Sequence, residues 1–306
     1  MIKFDVLVPI IKEDLQVCSY LLPFWERYLP IRNIVFVGPK SLESEVDKLG
    51  RSNCEYIDED TIIKFSELRN IIEDYTQGDE ASIKRTGWYL QQFIKMQYAF
   101  LCKDEYYLIW DSDTMPLHTI EMMEGNTPIF HMKEEHNQPY FDTMRRLLGA
   151  NMLKSQKSFI SEHMLIHCKI MKELIDCIDS REDIRGDAWY EKVIRVIDKK
   201  DIMYSGFSEF ETYGTYVTTY HPQLYMCSNW KSERRGNLFF EIENLDWADA
   251  SWLGKQFDAI SFEKTLNYDT VTKKIFKYKF SHIIKFTSYL KLLKIYDGLL
   301  SLIRRS

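Results

Sequence analysis

The sequence has little glycine and proline, with 12 and 8 residues among 306. This scarcity excludes a flexible or Pro-rich linker, because such linkers need those residues in runs. No apolar stretch approaches the roughly 18 residues of a membrane-spanning helix, and the opening MIKFDVLVPII is too short for a secretory signal. The net charge of −6 lacks the positive excess of general nucleic-acid binders. We therefore expect a cytoplasmic protein that does not bind nucleic acid.

Cysteine is also scarce and shows no paired spacing. The six residues include no C-x-x-C pair, and several lie inside apolar runs. A disulfide framework is typical of short chains dense in cysteine. We therefore expect reduced and mostly buried thiols. The cysteines are Cys18, Cys54, Cys102, Cys168, Cys177 and Cys227.

Positive charge is concentrated in the last part of the sequence. Residues 273–306 contain nine Lys or Arg and one acid, Asp297, whereas the preceding residues carry a net charge of −14. Apolar residues recur there at helical spacing, which predicts a basic amphipathic helix. Such a helix favours peripheral binding to an anionic membrane surface, here the inner face of the cytoplasmic membrane. Packing onto the acidic part of the chain, or onto a second copy, is the alternative.

Strand and helix signals alternate over the first third of the chain. Buried strands are predicted at 3–10, 33–37 and 54–57, and helices at 12–28 and 41–49. This alternation predicts a parallel sheet with right-handed crossovers. Gln77, Gly78 and Asp79 interrupt a helical stretch over 59–85, and the polar segment 133–146 is predicted as a functional loop.

The stretch YYLIWDSDTMPL at 106–117 organises the rest of the chain. A short aromatic and apolar run reads as a buried strand, and Asp111 and Asp113 follow it. Ligands bind at the carboxyl ends of strands in open α/β sheets. Two carboxylates at spacing i, i+2 face the same way if the backbone is extended, and could bind Mg²⁺ or Mn²⁺. A plain surface turn is the alternative.

The strongest helix signal, at 87–103, precedes that strand. Its residues at i, i+3, i+4 and i+7 share one face. An aromatic ring, two amides and an ammonium on one face suit a sugar phosphate, and a solvated face with one buried Trp is the alternative. These residues are Trp88, Gln91, Gln92 and Lys95.

Two downstream segments place charged residues among apolar ones. FISEHMLIH holds Glu162 and His163, whose burial would require a partner or a ligand. YSGFSEFETYG holds Glu209 and Glu211, which point the same way if extended and could supply a general base for acceptor activation. A satisfied core histidine is the alternative for His163, and a helix N-cap at Ser208 is the alternative for the second segment.

Further basic and acidic residues are weaker candidates for contacts with a diphosphate or an acceptor. Each has an ordinary surface role as its alternative. They are Asp14, Arg69, Lys84, Arg85, Asp142, Arg145, Arg146, Arg234 and Arg235.

The ordered motifs GWYLQQFIK, D-x-D, SEHM and SEFETYG resemble those of bacterial GT-A-type glycosyltransferases from capsule and O-antigen polysaccharide gene clusters. The resemblance covers roughly residues 1–260. It implies that Asp113 holds the metal bridging the donor diphosphate and that Asp111 faces the ribose or a metal-bound water. It also implies that Pro9 and Ile10 contact the nucleoside, that SEHM lines the sugar site, and that His221 is a late third metal ligand.

These observations predict an α/β, GT-A-like (Rossmann-like) fold with a mixed, mostly parallel sheet flanked by helices and a C-terminal basic amphipathic helix. The expected catalytic domain is 1–262, with a nucleotide-sugar half at 1–115 and an acceptor half at 116–262, followed by a tail at 263–306. The expected function is transfer of a sugar from a nucleoside diphosphate sugar, with UDP favoured, to a glycan or lipid-linked acceptor, assisted by Mn²⁺ or Mg²⁺.

Two other functions compete with this prediction. A phosphatase of the haloacid-dehalogenase type also has D-x-D after a strand. That motif lies near the domain start, however, and has Thr or Val where this chain has Met115. The aromatic content also fits a glycan-binding module without catalysis.

Overall fold

The computed structural model describes residues 2–149, 157–263 and 295. Short apolar runs between turn residues form the strands, as the period-2 and buried-run patterns predict. The strands are β1 (Phe4–Pro9), β2 (Ile31–Gly38), β3 (Cys54–Asp58), β4 (Tyr106–Trp110), β5 (Thr114–Pro116), β6 (Met123–Glu124), β7 (Thr127–Met132), β8 (His163–His167), β9 (Met226–Asn229), β10 (Ser232–Glu233) and β11 (Ala259–Ser261).

The helices carry apolar residues at helical spacing and bury that face. They are α1 (Lys12–Tyr28), α2 (Glu43–Asp47), α3 (Phe65–Thr76), α4 (Glu80–Ile83), α5 (Thr86–Gln97), α6 (Gln138–Leu148), α7 (Cys168–Asp179), α8 (Trp189–Val196), α9 (Lys199–Ile202), α10 (Glu209–Tyr220), α11 (Gly236–Phe239) and α12 (Trp247–Leu253).

The central sheet has the order β3-β2-β1-β4-β8. β1, β2, β3 and β4 are parallel, and β8 pairs antiparallel to β4 with Trp110 opposite His163. The predicted mixed, mostly parallel sheet flanked by helices is confirmed. The chain turns from β1 outward to β2 and β3 and then returns to β4, so the sheet has a topological switch point between β1 and β4.

The central strands β1 and β4 are buried on both faces of the sheet because almost all of their residues are apolar. Leu7 and Ile109 point into one core, which α3, α5, α7 and α10 cover. Val6, Val8 and Trp110 point into the other, which α1 and α12 cover. Strands buried on both faces are typical of parallel sheets between helices.

Two small sheets extend the central one. β5 pairs antiparallel to β11, and β11 pairs with β10, so residues 259–263 are brought beside Asp113. β7 lies between β6 and β9. β8 belongs to the predicted acceptor half and β4 to the predicted nucleotide-sugar half, so one sheet includes strands from both.

Segment 133–146 was predicted as a loop, and that prediction is wrong for most of it. Helix α6 covers Gln138–Leu148, with Pro139 in its first turn, where a missing N–H costs no helical hydrogen bond. The helix buries Phe141, Met144 and Leu147 against the core. The predicted break between α3 and α4 is confirmed, with Gln77 and Gly78 at positive φ.

The predicted basic amphipathic tail lies outside the described residues, apart from Glu263 and Ile295. In the part of the chain that the structure describes, no helix is both long and apolar enough to cross a membrane.

Candidate active site

A cavity of about 580 Å³ opens at the carboxyl ends of β1 and β4. Its position is the switch point of the sheet, where open α/β proteins bind ligands. Pro9 closes β1 beneath it, and Asp111, Ser112 and Asp113 follow β4 into its wall. Of the predicted site residues it contains Pro9, Trp88, Gln91, Gln92, Lys95, Asp111, Asp113, Glu162 and Glu209.

The D-x-D segment is a tight turn. Asp111 N–H donates to the carbonyl of Glu162 at 2.9 Å, and Thr114 N–H donates to the carbonyl of Asp111 at 3.2 Å. Both carboxylates still line the cavity. Burial, followed by the nearby charges of Asp111, Glu263 and Asp14, raises the pKa of Asp113 to about 7. A carboxyl crowded by like charges in this way is relieved by a bound cation.

Helix α5 presents the predicted polar face to the cavity. Lys95 is buried, and its ammonium donates to Asp111 Oδ1 and to Glu209 Oε1, each at 2.8 Å. Burial opposes the charge, but the two carboxylates outweigh it and raise the pKa of Lys95 above its ordinary value. Gln92 accepts from Glu209 N–H at 3.2 Å through its side-chain oxygen. The helix therefore joins β4 to the start of α10.

The start of α10 separates the two predicted catalytic carboxylates. Ser208 caps the helix by accepting from Glu211 N–H at 3.2 Å, so SEFE is helical and not extended. Glu209 lines the cavity. Glu211 lies behind the wall, where its Oε2 accepts from Ser158 Oγ at 2.6 Å and from Phe159 N–H at 3.2 Å. Burial raises the pKa of Glu211 to about 7. Glu211, predicted as the second catalytic candidate, therefore lies outside the cavity, with its side chain against the segment before β8.

Gly214 lies inside α10. A Cβ at this position would lie 2.2 Å from Cγ of Phe159. The glycine therefore lets the Phe159 ring rest directly on the helix backbone. This contact holds the segment that leads into Glu162 against α10.

Glu162 organises the opposite wall. Its carboxylate is buried and accepts hydrogen bonds from Lys133, from Trp230 Nε1 at 2.9 Å, from Ser232 Oγ at 3.0 Å and from Arg234 Nε at 3.0 Å. Burial acts to raise the pKa of Glu162, but the cations and donors outweigh it and lower that pKa. Its backbone has φ +61°, the left-handed region. Glu162 therefore holds Arg234 beside the cavity.

His163 is buried in the core and does not line the cavity. Its Nδ1 lies 2.7 Å from the carbonyl of Ser161, which can only accept, so Nδ1 carries the proton. Its Nε2 then accepts from His131 Nδ1 at 2.8 Å. Burial lowers the pKa of His163 well below its ordinary value. Both ring nitrogens of His163, which was predicted to contact the donor, therefore have protein partners.

Ile10 and His221 also lie away from the cavity. Ile10 is a buried residue of the core that α1 and α12 cover. His221 follows α10 and pairs with Glu173 at 3.0 Å. It follows Glu209 by twelve positions, a rise of about 18 Å at 1.5 Å per helical residue. His221, predicted as a third metal ligand, therefore does not line the cavity with Asp111 and Asp113.

The cavity also contains residues that sequence analysis missed. Tyr140 comes from α6, inside the segment that was predicted as a functional loop, and Ser205 lies just before SEFE. Glu263 had no sequence signal, because only the pairing of β11 with β5 brings it beside Asp113. The weaker candidates Asp14, Arg85 and Arg234 also line the cavity.

The acidic residues fit a hard divalent cation. Asp111 and Asp113 offer oxygen ligands, and Asp14 and Glu263 add negative charge near Asp113. Among the described residues, no group of three or more His, Cys, Asp and Glu is arranged to hold a metal ion. Mg²⁺ and similar ions are often held by one or two carboxylates, with substrate phosphates and water completing the shell.

Fold and cavity together define an α/β protein with an acidic ligand site at the switch point of its sheet. The chain belongs to DUF6492, a family of unknown function whose profile matches residues 27–275. No curated protein matches the chain.

Solved glycosyltransferase structures are similar to the chain. The apo form of mouse xyloside xylosyltransferase 1 has 11% identity and a TM-score of 0.45, covering 88% of this chain and 100% of that one. Apo WbbM, a bifunctional glycosyltransferase, has 11% identity and a TM-score of 0.41, covering 85% of this chain and 45% of its own. The PaToxG glycosyltransferase has 10% identity and a TM-score of 0.32, covering 67% of this chain and 68% of that one.

Proposed function

We propose that this protein is a metal-dependent glycosyltransferase that moves a sugar from a nucleoside diphosphate sugar, with UDP favoured, to a glycan or lipid-linked acceptor of a bacterial surface polysaccharide. It would act in the cytoplasm, peripherally on the membrane. The observation that carries the proposal is one cavity that combines the Asp111–Asp113 pair with the Trp88–Gln91 face and a buried carboxylate, Glu209. This chemistry needs acids that bind a cation, an aromatic ring and an amide that bind a sugar, and a separate base.

The donor diphosphate would lie against the acidic pair. Asp111 and Asp113 would hold Mn²⁺ or Mg²⁺, which offsets charge on the leaving diphosphate when bound. Arg234, fixed by Glu162, stands in the same wall as a cationic contact. Lys95 is already paired with Asp111 and Glu209, so its role is to neutralise those carboxylates and orient them.

The acceptor would be activated by Glu209. Its position is fixed twice, by Lys95 at its side chain and by Gln92 at its backbone N–H. A carboxylate held this rigidly in the cavity can take the proton from an attacking hydroxyl as the sugar–phosphate bond breaks. Trp88 offers a flat apolar face for a sugar ring, and Gln91 an amide for its hydroxyls.

The experiment is a screen of nucleotide sugars with Mn²⁺, read by release of the nucleoside diphosphate. We expect turnover of at least one donor, its loss in chelator, and its loss in Asp113→Ala. Asp47→Ala is the matched control, because Asp47 is an exposed carboxylate at the end of α2. Full activity of Asp113→Ala, or of the wild type in excess chelator, would remove the metal site from the proposal. Hydrolysis of a generic phosphomonoester would instead favour the phosphatase.

A further inference from the structure

The cations of the cavity wall differ in their partners. Lys95 is paired with Asp111 and Glu209, and Arg234 with Glu162. Arg85 also lines the cavity, yet no carboxylate in the described part of the chain pairs with it, and its buried Nε finds no hydrogen-bond acceptor there. Burial lowers the pKa of Arg85, with only the Tyr89 and Tyr140 hydroxyls acting against it. An unpaired guanidinium beside a cavity is costly unless a ligand supplies the anion.

Arg85 contacts the ring of Trp88. Its guanidinium lies 4.3 Å from the ring centroid of Trp88, a cation–π contact. Tyr140 lines the same cavity and hydrogen-bonds to the side chains of Ser205 and Asn137. Arg85, Trp88 and Tyr140 therefore combine a planar cation, an apolar ring face and a fixed hydroxyl.

This group is separated from the acidic pair along helix α5. Lys95 marks the acidic end through its bond to Asp111, and Arg85 precedes it by ten residues, about 15 Å along a helix axis. Gln91 and Gln92 line the cavity between them. A diphosphate at Asp111 and Asp113 would therefore leave Arg85 without an anion.

We infer that Arg85, Trp88 and Tyr140 form a subsite for an anionic sugar residue of the acceptor, which carries a carboxylate or a phosphate. The inference rests on the proposed transferase function, because it places an acceptor across the cavity from the metal end. Arg85 binds the anion through its planar fork of N–H donors. Trp88 stacks on the sugar ring, and Tyr140 contacts a hydroxyl. The acceptor is therefore an acidic glycan.

The test is calorimetric titration of the full chain with D-glucuronate, D-glucose 6-phosphate and D-glucose. Each titration is run without metal or nucleotide and again with UDP and Mn²⁺, so that ordered binding is also covered. We expect at least one anionic sugar to bind about 10- to 100-fold tighter than glucose, the range for charged hydrogen bonds. A preference between the two anionic sugars identifies carboxylate or phosphate as the recognised group.

Arg85→Gln should abolish that preference, and Arg85→Lys should keep part of it, since lysine retains the charge but not the planar fork. Lys84→Gln is the matched control, because Lys84 is the adjacent exposed cation and lies outside the cavity. Equal binding of all three sugars by the wild type, or an unchanged preference in Arg85→Gln, would overturn the inference. If no donor is turned over but the preference for an anionic sugar persists, the proposed transferase function is contradicted and the anion subsite is not. The two outcomes are separable because sugar binding is measured without donor turnover.

Discussion

Lys95 donates a 2.8 Å hydrogen bond to Asp111 and so ties the interior of α5 to the end of β4. An equal bond to Glu209 extends the tie to α10. One buried ammonium thus stands between a predicted metal ligand and the predicted base. Its removal would leave two carboxylates without their shared counter-charge.

Lys95→Met should therefore be destabilising and weaken donor binding. Breaking a buried ion pair from one side costs about 3–5 kcal/mol. Asp111 is 34% exposed, so we expect a loss in the free energy of unfolding near the lower end of this range. The freed carboxylates should also repel a diphosphate, weakening donor binding by about 1.5–3 kcal/mol, the worth of a charged hydrogen bond. Urea unfolding and donor titration measure the two effects.

Lys48→Met is the control for Lys95→Met. Lys48 forms an exposed ion pair with Glu45, and such pairs are worth about 0–1 kcal/mol. If Lys95→Met keeps the stability and the donor affinity of the wild type, the hydrogen bonds by which Lys95 joins α5 to β4 and α10 contribute to neither.

Glu209→Gln should lower kcat by about 100- to 10,000-fold, the usual effect of losing a general base. The amide keeps the shape of the side chain but cannot accept the proton. Donor affinity should stay near the wild-type value, and higher acceptor concentration should not restore the rate. Glu211→Gln is the matched control and should cost much less, because Glu211 contacts Ser158 and Phe159 outside the cavity. Normal turnover in Glu209→Gln would point to a retaining mechanism or to another base.

The raised pKa of Asp113 predicts a pH-dependent stability. The folded protein keeps the Asp113 proton up to about pH 7, whereas the unfolded chain loses it near 3.8, the ordinary pKa of an aspartate. The folded state therefore binds more protons between these values, and this contribution to stability is lost as pH rises through that window. Asp113→Asn cannot titrate, so its urea midpoint should fall less than that of the wild type from pH 5 to pH 8. Asp47→Asn should match the wild type.

The same carboxyl should make metal binding pH-dependent. A cation binds the deprotonated form and competes with the proton. Mn²⁺ affinity of the wild type should therefore weaken as pH falls below about 7, the pKa of Asp113. Titration of Mn²⁺ binding at pH 6 and pH 8 measures this effect, and equal affinity at both values would argue against Asp113 as a ligand.

The basic segment 273–306 predicts binding to anionic vesicles. Nine basic residues and a single acid favour a surface of phosphatidylserine or similar lipids, with about 1 kcal/mol per nearby Lys or Arg. Deletion of the segment should remove vesicle binding, and high salt should weaken binding of the full chain. If the full chain ignores such vesicles at low salt, the segment instead packs onto the protein or onto a second copy.

Sequence patterns predicted the central sheet and the polar face of α5 because each depends only on the local spacing of residues along the chain. Apolar runs fix the strands, and Trp88 to Lys95 share a helix face whatever packs against it. The α6 helix was missed because its polar and aromatic residues, with Pro139, suggested a loop. Its burial depends on elements distant in sequence, which local propensity does not describe.

The differences between the predicted and the observed positions of the site residues have another physical cause. Residues two apart share a side of a strand, but lie about 200° apart around a helix. Once SEFE is helical, Glu209 and Glu211 must diverge. His163 did need a polar partner, as its apolar surroundings implied, but protein groups supply that partner. Glu263 enters only through strand pairing, which the local pattern does not encode.

Position 162 must meet two demands that few side chains combine. Its left-handed backbone costs an ordinary residue about 1–2 kcal/mol, while its carboxylate serves four donors across the wall. Glycine would remove the backbone strain but would leave Lys133 and Arg234 without their carboxylate partner. Glutamine would keep the length of the side chain but lose its negative charge. A saturation library selected for folding should therefore recover little except glutamate at 162, while the exposed Glu134 accepts most substitutions.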